Sequence, residues 1–344
     1  MAKWGTAAAC LLALGCGVGE PATQSEGRDR PPAAAAGAGF DGARAFRDLE
    51  DLVRIGPRPA GSPGAERTRE LIRQRLRQAG WRVREQEFTA QPPAGPPVAM
   101  TNVIGIREGE REQLILLATH YDTKDIPGVR FVGANDGASG TAVLLEVARQ
   151  LAARRLPFEV WLVFFDGEEA FGPDITRQDG LYGSRALADE LQADGTLERV
   201  AALLLVDMVG DADLNLTVDL NSSLALRQLM WQAAEALDLA SIIDASATLR
   251  LTDDHTPFLR KGVSEVLVLI DFQYGARQAP GPYWHTAADD LDKVSAESLN
   301  SAGRLLVETL QRAERRLVEA ERAGNSEHAE RADDPEHAER ADDR

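Results

Sequence analysis

Apolar residues are not spread evenly along this chain but gather in short runs at intervals that fit buried strands. LILLA (114–118), EVWLVFF (159–165), ALLLV (202–206) and VLVLI (266–270) are apolar at nearly every position, whereas WRVREQEF (81–88) and TNVIGI (101–106) are mixed. A strand that is apolar throughout is covered on both faces, the usual state of a parallel sheet flanked by helices. Between the runs lie stretches with helical spacing. Ser62 is placed as an N-cap, Pro63 as the first helical residue, and Leu71, Ile72 and Leu76 as one apolar face before Gly80. Further helices are predicted at 138–153, 182–193, 222–237 and 296–318. The alternation predicts an α/β domain, a three-layer α/β/α sandwich around a mostly parallel mixed sheet.

The residues that follow these runs carry the candidate chemistry. LILLA leads into Thr119, His120, Tyr121 and Asp122; EVWLVFF into Asp166, Gly167, Glu168 and Glu169; ALLLV into Asp207; VLVLI into Asp271. Ligands of open parallel sheets bind outside the carboxyl ends of the strands, so four strands are expected to deliver acids or imidazole to one edge. Asp136, in a Gly-rich segment ahead of a predicted helix, and His285 lie on loops that can join them. Imidazole and carboxylate around an open position suit a borderline cation such as zinc. In the doublet Glu168–Glu169, neighbouring residues leaving a strand point in different directions. One carboxylate can therefore hold metal while the other faces substrate.

Composition narrows the field. With 38 Lys and Arg against 55 Asp and Glu, the 344 residues carry a formal charge of −17, which argues against nucleic acid as a partner. Cys10 and Cys16 are the only cysteines, so thiolate metal sites and disulfides are excluded for the rest of the chain. Residues 1–16, with Lys3 ahead of a small and apolar stretch ending Ala13-Leu14-Gly15-Cys16, resemble a bacterial lipoprotein signal; an ordinary cleaved secretory signal is the alternative. Either places the protein outside the cytoplasm, in the cell envelope or secreted. A lipid at Cys16 is the only membrane attachment expected, because no later run approaches the roughly 20 apolar residues of a spanning helix. Residues 17–39 read as a flexible tether, 40–319 as one catalytic domain, and 320–344 as an acidic tail in which EHAERADD occurs twice.

GANDGASG (133–140), DGEEAF (166–171), LVDMVG (205–210) and WHT (284–286) resemble family 28 of the metallopeptidases, the secreted zinc aminopeptidases. The likeness spans about residues 41–318 and implies a zinc-exopeptidase-like fold. HYDTK (120–124), FVGAND (131–136), QDGLYGSRALA (178–188), DDHTPFLRKGV (253–263) and WHTAADDLD (284–292) make the closer resemblance that of the glutaminyl-peptide cyclotransferases. That resemblance implies zinc on Asp136, Glu169 and His285, Glu168 as proton shuttle, and Asp207 and Asp253 as a hydrogen-bonded group beside substrate. It implies one zinc for a cyclase acting on the N-terminal Gln of peptides or proteins. For an aminopeptidase it implies two, the second completed by His120 and Asp207. A metal-free binding ectodomain is the remote alternative. The cyclase Trp shortly after DGEEAF is missing here; Trp284 is retained, and Tyr274 or Tyr283, in a segment longer than in animal cyclases, are candidates to wall the pocket instead. The Asp136–Gly137 peptide is expected to be cis by the same resemblance.

Overall fold

The computed structural model describes residues 39–332, with side chains to residue 323. The lipoprotein-type signal with Cys16 and almost all of the tether lie outside the described residues, as does the tail beyond Ala332.

Among the described residues eight strands form one sheet. They are β1 Arg82–Ala90, β2 Val98–Arg107, β3 Arg111–His120, β4 Phe158–Phe165, β5 Val200–Asp207, β6 Leu216–Asp219, β7 Ile243–Leu249 and β8 Val266–Ile270, in the order β1-β2-β4-β3-β5-β8-β6-β7. The centre, β4-β3-β5-β8, is parallel; β1, β2 and β4 pair antiparallel, as do β8 and β6. Every apolar run became a strand, and the fully apolar ones occupy the centre. β6, four residues long, and β7, rich in Ala, Ser and Thr, have no comparable apolar run and were not anticipated.

The period of two along each central strand divides its side chains between two cores. Ile115, Leu117, Leu162, Phe164, Leu204, Val206, Leu267 and Leu269 enter one. It is covered by α1 (Gly42–Ile55), α2 (Pro63–Gln78), α3 (Ala138–Leu151), α5 (Leu224–Ala236) and α7 (Ala296–Ala332). Leu116, Ala118, Val163, Phe165, Leu205 and Val268 enter the other, beneath α4 (Tyr182–Ala193) and α6 (Thr256–Arg260). These are the three layers expected.

Local signals account for the helix ends. The Ser62 hydroxyl accepts the Ala65 N–H with Pro63 at the start of α2, and the Asp41 carboxylate accepts the Arg44 N–H at the start of α1. α1 itself was not foreseen. α7 runs past the predicted end at 318, but its packing does not: Leu310 and Ala313 are in the core, Val318 packs against it, and residues 319–323 are exposed. The Asp136–Gly137 peptide is not cis. The cis bond among the described residues is Ala279–Pro280, and the chain turns at Gly137 through a φ of +86° instead. A Cβ there would lie 2.6 Å from the Asp122 carbonyl oxygen and 3.2 Å from the His120 ring, so only glycine fits. Among the described residues no helix is long and apolar enough to cross a membrane.

Candidate metal centre and active site

The carboxyl ends of β3, β4 and β5 open onto one another, and each strand ends in a residue or loop of the site. His120 closes β3, Asp207 closes β5, and Glu168 and Glu169 follow β4. The loops are fastened by side chains. Asp122 accepts the backbone N–H groups of Glu168 and Glu169, at 3.1 and 3.3 Å. Asp289 accepts those of Asn135 and Asp136, at 2.7 and 3.0 Å. The fully buried Arg58 guanidinium donates to the carbonyls of Tyr121, Val132 and Gly133, which ties the end of β3 to the approach of Asp136. Burial lowers its pKa to about 10, against the opposing pull of Asp289, Asp122 and Asp136.

Among the described residues two groups of potential ligands result, sharing one residue: Asp136 with Glu169 and His285, and Asp136 with His120 and Asp207. His285 Nε2 lies 3.1 Å from Glu169 Oε1 and 3.4 Å from Asp136 Oδ2. His120 Nε2 lies 3.1 Å from Asp207 Oδ1 and 3.3 Å from Asp136 Oδ1. Donors about 2.0–2.1 Å from a tetrahedral zinc sit about 3.3 Å from one another, so these separations fit a cation among the side chains. Asp136 Oδ2 is buried without a hydrogen-bond partner, a costly arrangement that a bound cation relieves.

Charge points the same way. Burial above all, then the neighbouring carboxylates, raises the pKa of Glu168, Glu169, Asp207 and Asp253, while His120 favours their ionised forms at three of the four and His285 and Lys124 do so at Glu169. Burial lowers the pKa of His285, but Asp136 and Glu169 outweigh it and leave it at about 9. Lys124 Nζ lies 3.5 Å from Glu169 Oε2 and donates to the Ala170 carbonyl, and Arg250 also lines the pocket.

Against this edge lies a cavity of about 310 Å³. Its polar floor includes Asp136, Glu168, Glu169, Asp207, Asp253 and His285; Trp284, Phe272, Ile175 and Leu251 are among its apolar walls. The Trp284 ring stacks on His285 with 3.8 Å between centroids, and Phe272 meets Trp284 edge-on at 5.4 Å. The segment after the Glu doublet is held by Asp179, which accepts the N–H groups of Phe171 and Gly172 and the Tyr182 hydroxyl. It brings Ile175 to the wall in the stretch where the cyclase Trp is missing.

Residues 102–310 match the model for Peptidase family M28. The chain belongs to that family. Over 276 residues it is 31% identical to a glutaminyl-peptide cyclotransferase of Drosophila melanogaster, the match covering 72% of this chain and 75% of the relative. A glutaminyl cyclase from an Acidobacteriales bacterium superposes with a TM-score of 0.76 at 39% identity, covering 83% of this chain and 99% of the other. A Zn-dependent exopeptidase from Parabacteroides distasonis, at 24% identity and a TM-score of 0.70 over 79% of this chain and 98% of its own, shares the fold.

On this M28 framework some expectations need correction. Tyr274 does not wall the pocket: it is fully buried behind it, with its hydroxyl 2.8 Å from Asp289 Oδ1. Tyr283 packs edge-on to Tyr274 and under Lys293, also away from the cavity. Asp271 follows β8 as expected, yet its carboxylate accepts the N–H groups of Asn215 and Gln273 and takes no part in either ligand group. His255 is buried, its nearest acid Asp219 at 3.7 Å. Asp122 stands at the edge where acids are expected but acts on the backbone of the doublet; Lys124 and Asp289 carry no signal apart from their motifs, and Phe272, Ile175 and Leu251 none beyond being apolar.

Proposed function

We propose that this chain is a zinc-dependent glutaminyl-peptide cyclotransferase that converts the N-terminal Gln of peptides to pyroglutamate and releases ammonia. The observation that carries the reading is the Asp136–Glu169–His285 group at the floor of a small cavity walled by Trp284 and Phe272, with Glu168 beside it and outside the ligand group. A cavity of about 310 Å³ is at the small end for ligand pockets, which suits one terminal residue.

Asp136, Glu169 and His285 would hold the metal. When bound, zinc supplies Lewis acidity toward the side-chain amide carbonyl of the substrate. The α-amine attacks that carbonyl, a C–N bond closes the five-membered lactam, and the original amide C–N bond breaks. Glu168 takes the proton of the attacking amine and returns one to the departing ammonia. Its raised pKa, set chiefly by burial, favours holding that proton between the two transfers. Asp207 and Asp253, on the same floor, offer carboxyl oxygens that can accept hydrogen bonds from the α-amine. The reaction is intramolecular already, so the walls serve to fold the Gln side chain back and exclude water.

A second reading has its own observation. His120, Asp136 and Asp207 form the other ligand group, and a second zinc there would suit an aminopeptidase in which Glu168 is base to a water. Two assays on one metal-replete preparation separate the readings: ammonia release from a Gln-initiated peptide, and amine release from aminoacyl anilides. Ammonia release alone supports the cyclase; anilide cleavage alone overturns it.

A further inference from the structure

Tyr274 and Asp289 are not among the residues that line the cavity, yet Asp289 is bonded to Tyr274 and to the loop that carries Asp136. Asp289 is four residues beyond His285 and fully buried. Its Oδ1 accepts the Asn135 N–H and the Tyr274 hydroxyl, its Oδ2 accepts the Asp136 N–H, and its carbonyl oxygen accepts the Ala134 N–H at 3.4 Å. One side chain thus fixes the loop bearing Asp136 to the loop bearing His285. Tyr274 in turn fixes that carboxylate. Its ring is pressed against Tyr283 at 77° and 5.3 Å between centroids, and Gly275 and Gly281 make the approach possible. A Cβ on Gly275 would lie 2.2 Å from the Tyr283 ring, and one on Gly281 would lie 1.8 Å from the Tyr274 carbonyl oxygen.

We propose that Tyr274 and Asp289 are a positioning pair that locks the Asp136 and His285 loops in ligand register and so sets how firmly the chain retains its metal. The inference rests on the reading of Asp136, Glu169 and His285 as zinc ligands. A hydroxyl donating to one carboxylate oxygen leaves the other free for the Asp136 amide, and restricts rotation of the carboxylate about its bond to Cβ. Loss of the hydroxyl leaves two amides to hold the group, and the loop spacing loosens.

The test compares full-length, zinc-loaded wild type with Tyr274→Phe, Asp289→Asn and a control, Tyr182→Phe. Tyr182 makes the same bond, hydroxyl to a buried aspartate at 2.8 Å, but to Asp179, which holds the segment that follows Glu169 rather than the loops that carry Asp136 and His285. The readouts are the rate of zinc transfer to a chromogenic chelator and the melting temperature. Tyr274→Phe is expected to lose zinc about tenfold faster than wild type, the scale on which partners of metal ligands act. Asp289→Asn should lose it at least as fast, and the double variant no faster than Asp289→Asn alone. Tyr182→Phe should melt lower by a similar amount yet lose zinc within twofold of the wild-type rate. The proposal is overturned if Tyr274→Phe keeps wild-type zinc retention, or if the Tyr182 control loses zinc equally fast. A wild-type chain that takes up no zinc would instead overturn the ligand reading itself. Tyr274→Phe removes a single oxygen, so the question remains answerable even if Asp289→Asn does not fold.

Discussion

Replacing Glu168 and Glu169 one at a time by Gln should separate proton transfer from metal retention. Glu168 lines the cavity at 8% exposure; its backbone N–H is held by Asp122, and its carboxylate is engaged by no side-chain partner among the described residues. The amide therefore fits where the acid stood, and neither Asp136, Glu169 nor His285 is disturbed. What is lost is the ability to accept and return a proton at neutral pH. General acid–base catalysis contributes about 100- to 10,000-fold, or roughly 2.7–5.5 kcal/mol of barrier. We expect Glu168→Gln to keep its zinc and its KM while single-turnover ammonia release falls within that range. The Glu169 carboxylate, by contrast, is engaged, with Oε1 3.1 Å from His285 Nε2 and Oε2 3.5 Å from Lys124 Nζ. Glu169→Gln removes a charged ligand and leaves that ammonium without its carboxylate, so zinc content should fall first and activity with it. Zinc stoichiometry by atomic emission and single-turnover rates on both variants decide the matter. A metal-free Glu168→Gln protein, or one with full activity, would refute the division of labour.

Removing zinc should leave five acids, Asp136, Glu168, Glu169, Asp207 and Asp253, facing one another. At a thousandfold excess over Kd the bound ion stabilises by about 4 kcal/mol, so chelation should lower the melting temperature by roughly 10 °C. Asp271, outside the ligand groups, has its pKa raised to about 7, chiefly by burial. An acid protonated more readily in the folded than in the unfolded state contributes stability that is lost as pH rises from about 4 to 7. In parallel melts across that interval Asp271→Asn should therefore gain on wild type as pH rises; a constant difference would contradict the assignment. A chain trimmed to residues 40–319 should keep its melting temperature and turnover. Phe40 still packs against Gly303, and the last core contacts of α7 end at Val318. If the N-terminal segment is a lipoprotein signal, Cys16→Ser should abolish membrane association of the full-length protein expressed in a bacterium, as read by fractionation; association that persists would overturn that reading.

How much of this was legible depended on whether a residue acts through its type or through its surroundings. Fully apolar runs announce central parallel strands because both faces must be dry, and the acids after them announce an edge because the interior would not tolerate them unpaired. Apolar pattern could not reveal β7: IDASATL buries Ile243, while Ser246 and Thr248 are exposed. The misplacement of Tyr274 has a different cause. An aromatic residue in a long loop beside a metal-binding His can face the cavity or back it, and the choice rests on Asp289 accepting its hydroxyl, a contact made across fifteen residues that no local spacing encodes.

The three aspartates that touch no substrate show how irregular loops hold a catalytic geometry at all. Asp122, Asp179 and Asp289 each accept two consecutive backbone N–H groups: those of Glu168 and Glu169, of Phe171 and Gly172, and of Asn135 and Asp136. A hydrogen bond to a charged acceptor contributes about 1.5–3 kcal/mol, against about 1 kcal/mol for a neutral one. Paired amides thus fix a loop more firmly than turn chemistry alone. The consequence for chemistry lies in the doublet. Because Asp122 grips both amides of Glu168–Glu169, the backbone there cannot rotate to bring the two side chains to the same side. One carboxylate stands in the candidate ligand group beside His285 while its neighbour lies outside that group, where the proposed function has it move the proton.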